Sequence, residues 1–396
     1  MPFRVLHIFG RLSATGGAEK WVLDLLQLIN EKHSGELQFD FLVSTKNALM
    51  HEVRRRYNSR VHFVPFSRSP LPWSWGNPYL AGVRKILRRK HYDAVHCHQF
   101  DLSGEILRIA AQENVPKRVM SVHATEYETN RFYRRWVHQL WGHPYIVRYA
   151  TDILPCSKAV YNSFDMLEAR YEFLLSDYEP SSKIKILYTG IDTKRFQLSE
   201  KEIEAEASRL RSELNIPKEA VIIGHIGRFA RQKNHRFLIE LLAEMCRADK
   251  NVYAILIGDG ELRQPMYELV SSLGLSDRIP FFGTIDETAT PITSLFDVFV
   301  LPSLYEGLPI SACEALCGGL NVVMSDTVSD DLNLWFPNRI TQLPLDAGLK
   351  VWQDAIKNAI GGKMMLSEAL QHYEQTPFTL EKSLENLMKI YTSQFQ

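Results

Sequence analysis

RVLHIFGRLSATGGAEKWVLDLLQLI, Arg4 to Ile29, holds the unit from which the fold follows. RVLHIF (Arg4 to Phe9) is a short β-rich run that stops at Gly10. After a polar loop, Ala18 to Ile29 repeats apolar residues at helical spacing, with Trp21, Val22, Leu25, Leu28 and Ile29 on one face. Further runs follow at FDFLVS (Phe39 to Ser44), RVHFVPF (Arg60 to Phe66), YDAVHCH (Tyr92 to His98), RVMSVH (Arg118 to His123) and TDILPCS (Thr151 to Ser157), most of them separated by helical stretches. That alternation means crossover units and a parallel sheet.

Between about Ser181 and Ala220 the pattern breaks: KIKILYTGID, then a charged helix-like stretch, then Pro217. The inter-domain connection belongs there. A second series starts with VIIGHIG (Val221 to Gly227) and continues through VYAILIG (Val252 to Gly258), IPFFG (Ile279 to Gly283), DVFVLPS (Asp297 to Ser303) and NVVMSD (Asn321 to Asp326). The reading is an α/β chain of two doubly wound units, residues 1–188 and 189–377. Two such units facing each other leave a cleft at the carboxyl ends of their strands, where open α/β sheets bind ligands.

Composition agrees with this and excludes several classes. The chain has 396 residues, 45% hydrophobic and 23% charged, the ordinary globular balance. The formal net charge of +0 gives no reason to expect nucleic acid. It hides an asymmetry: residues 1–190 carry about 26 Lys and Arg against about 18 Asp and Glu. The amino terminus has too short an apolar core for a signal peptide, and no run suits a bilayer span. Cys97, Cys156, Cys246, Cys313 and Cys317 form an odd set without CxxC spacing, which fits a reducing, cytoplasmic compartment. Cys313 and Cys317 have a spacing that metal ligands can use, but without a second pair they read as buried thiols.

The most informative stretch is PSLYEGLPISACEAL, Pro302 to Leu316. Glu306 precedes a Gly-Leu-Pro turn, and Glu314 rides on the helix-like run after it. Two carboxylates so placed suit hydroxyl groups, each oxygen accepting a hydrogen bond from a sugar diol. Backbone amides around Leu308 to Ser311, where Pro309 itself has no N–H, open a helix at Ile310 and can hold a phosphate. In HIGRFARQKN, Arg228 offers a fork and Lys233 a point charge, and both can reach one pyrophosphate. In SATGGAEKW, Gly16 and Gly17 allow close approach of backbone to a ligand, although GxGxxG is absent. SVHATEY puts His123 at a strand end, and VHCHQ puts His96 and His98 on one strand face, for packing or an acceptor-side role rather than metal.

Together these segments resemble the retaining glycosyltransferases of family 4, which have the two-Rossmann GT-B fold. EGLP…E looks like that family's EGxP…E signature, and Arg228 to Lys233 matches its GR-x(4)-K motif. The Gly16–Gly17 turn resembles its GG loop, and His123 stands where members carry a histidine close to the transferred sugar. ILYTGIDTKRF is similar to its junction segment, with Thr189 where Asn is usual and a role in the hinge. FFGTIDE matches its base-binding loop, so Ile285 is expected to pair with the nucleobase edge. The resemblance covers nearly the whole chain, including a final helix (378–396) that in this fold packs back on the amino-terminal domain. Departures are Asn234 for the usual Gly, Asn321 for a common Pro, and TVSDDLN without GG-x-x-E.

The resemblance implies an acceptor-binding first domain and a nucleotide-sugar-binding second one. It implies retaining transfer from a nucleotide sugar, a UDP-sugar above others, to a saccharide or lipid-linked oligosaccharide, as in capsular and exopolysaccharide synthesis. Glu314 would hold the ribose, Arg228 and Lys233 the diphosphate, and Glu306 a hydroxyl of the transferred sugar, with no metal and no other cofactor required. A UDP-sugar 2-epimerase of the same architecture and a non-catalytic nucleotide-binding module stay as alternatives. Arg84, Lys85, Arg88, Arg89 and Lys90 beside Trp73 and Trp75, with RFYRRWVHQLW (Arg131 to Trp141), suit peripheral contact with an anionic leaflet.

Overall fold

Strands covered by helices on both faces have no side that must be polar, so they are spelled by nearly unbroken apolar runs. In the computed structural model, which describes residues 1–13, 16–66, 77–98, 102–124, 143–168, 183–284 and 292–393, those runs form two parallel sheets. The first comprises β1 (Phe3–Phe9), β2 (Leu37–Val43), β3 (Val61–Phe63), β4 (Ala94–Cys97), β5 (Lys117–Val122) and β6 (Asp152–Pro155), in the order β3-β2-β1-β4-β5-β6. The second comprises β7 (Val221–Ile226), β8 (Val252–Ile257), β9 (Phe281–Phe282), β10 (Val298–Leu301), β11 (Val322–Ser325) and β12 (Ile340–Leu343), in the order β12-β11-β10-β7-β8-β9. Counted from its own first strand, the second order is the first read from the other edge. Both are the doubly wound arrangement.

By its contacts the chain divides into Met1–Gly190 with Leu380–Gln396, and Ile191–Thr379. Both crossings fall where Ile191 N–H donates to the Phe378 carbonyl at 2.9 Å and Ile191 bridges Thr379.

In the first unit the helix Gly17–Lys32 turns Trp21, Val22 and Leu25 onto the sheet, against Phe39 and Phe41. The closing helix Leu380–Thr392 adds Leu384, Leu387 and Tyr391 to the same core. Each large apolar side chain so buried contributes about 1.5–3 kcal/mol. Polar ties fix the register: Trp21 Nε1 donates to Ser383 Oγ at 3.0 Å, and Ser383 Oγ donates to the Tyr188 carbonyl at 2.9 Å. In the second unit, Leu238, Leu242 and Trp352 cover Ile223, Ala254 and Val300. All five cysteines are buried and unbridged.

The strand order fixes where a site can form. Successive connections leave in opposite directions from β1 and β4 in the first sheet, and from β7 and β10 in the second. Each divergence opens a crevice at the strands' carboxyl ends.

Candidate active site

At the crevice of the second unit, β7 ends and the chain turns through Gly227, Arg228 and Phe229 to the short turn Arg231–Lys233. The GDG triplet, Gly258 to Gly260, a weak signal in the sequence by itself, holds this loop in place. Phe229 N–H donates to the Asp259 carbonyl at 3.0 Å, and Leu262 N–H donates back to Phe229 at 2.9 Å. The contact requires glycine: a Cβ on Gly258, at φ +138, would stand 2.1 Å from the Gly227 carbonyl oxygen. On Gly260 it would stand 2.5 Å from that of Phe229.

The loop leaving β10 lies alongside, fastened by Leu304 N–H to the Gln232 carbonyl at 2.7 Å. Here Lys233 Nζ meets Glu306 Oε1 at 2.5 Å, with the two side chains only 14% and 8% exposed. Ser303 Oγ donates to the same oxygen at 2.8 Å. Gln232 Nε2 reaches Oε2 at 3.2 Å and the Tyr305 carbonyl at 3.0 Å. A carboxylate removed from water needs such donors, and here three side chains supply them. Sequence reasoning missed Ser303 and Gln232. Their signal was adjacency: Gln232 precedes the motif lysine, and Ser303 stands three residues before Glu306.

Arg228 is not brought to that pair. Its guanidinium is 64% exposed and binds Glu261 at 2.9 Å. Such an exposed pair contributes little and exchanges readily. Glu314, on the helix Ile310–Cys317, meets Arg195 Nη1 at 3.4 Å. Arg195 comes from the TGIDTKRF segment expected to serve the hinge, and its buried Nε has no partner among the described residues. Leu308 and Pro309 are buried ahead of the helix, Pro309 is its N-cap, and no side chain caps it. Ala312 N–H donates to the Pro309 carbonyl at 3.0 Å, which leaves the amides of Ile310 and Ser311 at the helix start without an intrahelical acceptor.

The two departures in this region keep its backbone. Asn234 adopts φ 53, the left-handed conformation that glycine takes freely and asparagine next best. Asn321 donates from Nδ2 to the Ala359 carbonyl at 2.8 Å and accepts from Arg339 at 3.1 Å. Ile285 lies outside the described residues, as do Trp73, Trp75 and Arg131 to Trp141.

In the first unit, Gly16 precedes the helix that starts at Gly17, and a Cβ on Gly16 would lie 2.3 Å from the Glu19 carboxylate. His123 follows the end of β5 and meets Trp21 of that helix edge-on. His123 Nε2 lies 3.2 Å from His98 Nδ1, and His98 Nε2 lies 2.9 Å from His7 Nδ1. His98 stacks on Phe9 and on His96. Burial pushes His7 down to about 3 and His123 down to about 4, and holds His96 and His98 well below the usual histidine range. Nitrogens of His7, His96 and His98 lie within 4.8 Å of one another. Both of those on His96 are engaged, Nδ1 with Tyr391 Oη at 2.6 Å and Nε2 with Ser121 Oγ at 2.8 Å. The cluster is a hydrogen-bonded network.

Two doubly wound units, with a buried lysine–glutamate pair at one crevice and neutral imidazoles at the other, define a class. The chain is a GT-B-fold glycosyltransferase related to the group 1 and family 4 enzymes. Residues 15–195 match the model described as Glycosyltransferase Family 4, and residues 206–329 that of Glycosyl transferases group 1.

Among similar proteins, EpsF of Bacillus subtilis (strain 168) is 27% identical over 391 residues, spanning 98% of this chain and 96% of that protein. The capsular polysaccharide biosynthesis glycosyltransferase CapH of Staphylococcus aureus is 24% identical over 404 residues, spanning 98% and 99%. The crystal structure of Anabaena Alr3699/HepE with UDP and glucose superposes with a TM-score of 0.75 at 18% identity, covering 99% of this chain and 100% of that one. No helix among the described residues is long and apolar enough to cross a membrane.

Proposed function

We propose that this glycosyltransferase is a retaining enzyme that moves a sugar from a UDP-sugar to a saccharide or lipid-linked oligosaccharide in surface polysaccharide synthesis. The observation that carries the reading is Glu306, held on Lys233, Ser303 and Gln232 at the second unit's crevice. The likeness to CapH, a capsular polysaccharide biosynthesis glycosyltransferase, and the UDP in the HepE crystals support the pathway and the nucleotide.

In this reading Lys233 exchanges Glu306 for the donor diphosphate, and Arg228 leaves its exposed partner Glu261 to join it. Their charge offsets the negative charge that grows on the leaving UDP, so no metal is required. Glu306, freed of Lys233 but still oriented by Ser303 and Gln232, accepts a hydroxyl of the transferred sugar. Glu314, steadied by Arg195, accepts the ribose hydroxyls. Amides at Leu308 and Ile310, with Pro309 setting the turn, face the phosphates, and Ile285 pairs with the base edge. From the first unit Gly16 and Gly17 let the backbone approach the donor closely, and His123 contacts the transferred sugar. The acceptor hydroxyl attacks from the face the phosphate leaves and gives its proton to that phosphate. No protein nucleophile is used.

Peripheral contact with the cytoplasmic leaflet belongs to the same proposal. On the helix Pro78–Arg89, Arg84 and Arg88 both bind Glu113, at 2.5 and 3.0 Å, while Lys85, Arg89 and the adjoining Lys90 are exposed. Co-sedimentation with anionic vesicles at low salt tests it, and absence of binding removes it.

The test of the main reading is thermal stabilisation by UDP, GDP, ADP and CMP, with Glu314→Ala beside wild type. A ligand bound only by the folded state raises the melting temperature. Stabilisation by UDP alone, lost in Glu314→Ala, is the expected result. No shift with any nucleotide would overturn the donor site. Transfer assays with UDP-sugars in excess chelator then read the chemistry, and inversion at the anomeric carbon would sink the retaining mechanism.

A further inference from the structure

The proposed function asks only that His123 contact the sugar, and leaves open what that ring offers it. The network beneath His123 answers this. A neutral imidazole carries one N–H, and a hydrogen bond between two ring nitrogens needs one proton. The pairs His7 Nδ1 to His98 Nε2, at 2.9 Å, and His98 Nδ1 to His123 Nε2, at 3.2 Å, therefore run in a single direction. If the protons point toward His7, its Nε2 carries a hydrogen. If they point toward His123, that nitrogen is bare, and the last proton sits on Nδ1 of His123.

The far end decides between them. His7 is fully buried among Phe39, Phe41 and His96, and its Nε2 has no partner among the described residues. A buried N–H without an acceptor is rarer than a buried acceptor without a donor. At the near end His123 is only half-buried, so neither state there carries the cost of a fully buried, unpaired nitrogen. Phe9 and His96 stack on the His98 ring and Trp21 meets the His123 ring edge-on, so the planes of both rings are fixed.

We infer that His98, seated on His7, is a positioning residue that fixes His123 with its proton on Nδ1, making that nitrogen a hydrogen-bond donor to an oxygen of the sugar. His96 stands outside the relay, because Tyr391 and Ser121 occupy its nitrogens. The use of the donor rests on the proposed function, whereas the tautomer does not.

The experiment is two-bond ¹H–¹⁵N correlation of histidine-labelled, ligand-free protein at pH 7, with rings assigned by single substitutions. The expected result is a protonated Nδ1 and bare Nε2 on His98 and His123. His123 protonated on Nε2 overturns the inference, and wild type alone supplies that answer. In His98→Phe the His123 signals should move toward a mixture of tautomers, with kcat lower by about tenfold and KM for the donor nearly unchanged. His98→Asn keeps an amide donor where Nδ1 stood and should restore both the signals and the rate to within about threefold. An unmoved His123 in His98→Phe overturns the positioning role. If the tautomer is as stated but His98→Phe and His123→Ala both transfer at the wild-type rate, the sugar contact in the proposed function fails while the tautomer stands.

Discussion

The two units have one strand order, and each sets a buried histidine in its first strand, His7 in β1 and His225 in β7. Desolvation pushes the first down to about 3 and the second down to about 4, so both are neutral at pH 7. What lies above them differs. In the first unit it is two more imidazoles, His98 and His123. In the second it is one more buried imidazole, His235, and the ion pair of Lys233 and Glu306, with Lys233 close enough to depress His225 further. One topology therefore supports a neutral hydrogen-bonding surface and a charged one, and loop residues make the difference.

The largest expected effect comes from neutralising the charged crevice. Glu306→Gln keeps the shape but removes the negative charge, and its single amide oxygen can take the place of only one of the two oxygens that accept from Ser303 and Gln232. Lys233→Ala removes the partner. Each should lower kcat by about a hundredfold to a thousandfold if the groups act on charge in the transition state. Measured release of UDP at the wild-type rate in both would make the pair structural and erase the contrast between the crevices.

Next is the glycine contact beneath Arg228. Gly258→Ala forces a Cβ against the Gly227 carbonyl at a positive φ, with no flexible side chain to give way. A loss of about 3 kcal/mol or more is expected by denaturant unfolding. The matching substitution Gly16→Ala in the first unit meets only the movable end of Glu19 and should cost about 1 kcal/mol or less. Equal losses would show that the close backbone approach at Gly258 is no more demanding than the side-chain contact at Gly16.

The sequence announced the scaffold well because parallel strands are short apolar runs, and here each is cut off by Gly, Pro or a polar cluster. Glu306, Glu314, Arg228 and Lys233 stood out as candidates because they sit in compact motifs. Relations between distant loops were less legible. Nothing near Arg228 says that Asp259 and Gly260 clamp its loop, and nothing near Glu314 names Arg195, 119 residues away. Arg228 and Lys233, which sequence spacing allows on one pyrophosphate, instead bind Glu261 and Glu306 separately. The histidine relay was half visible: His96 and His98 stand out in VHCH, but His7 looks like any residue of a strand until β1 and β4 pair. That pairing sets His7 opposite His96.

A smaller effect isolates the neutral crevice. His7 has its folded value lowered to about 3 from 6.5, so below pH 6.5 the unfolded chain binds a proton that the folded chain refuses. Stability therefore falls as pH drops from about 6.5 toward 3, by about 1.4 kcal/mol per pH unit for this one group. His7→Phe should reduce the slope of unfolding free energy between pH 6.5 and 5 by that amount. An unchanged slope would mean that His7 is protonated in the fold and that the relay is not neutral.

The smallest effect concerns Asn234, which caps the turn after Lys233 at φ 53, where the related family usually has glycine. Asparagine tolerates the left-handed region because its short polar side chain can bond locally, whereas alanine carries the full clash of Cβ with the carbonyl, about 1–2 kcal/mol. Asn234→Gly relieves residual strain but widens the freedom of the unfolded chain, and these terms oppose each other. The expected change is within about 0.5 kcal/mol for Asn234→Gly and a loss of about 1 kcal/mol for Asn234→Ala. Because Asn234 starts the helix His235–Ala248 directly behind Lys233, the same pair of variants also reads the site. If Asn234→Ala lowers transfer more than stability accounts for, the left-handed turn is what aims Lys233 at Glu306. If the two fall together, the turn serves only the helix start, and the charged crevice owes its geometry to Ser303 and Gln232.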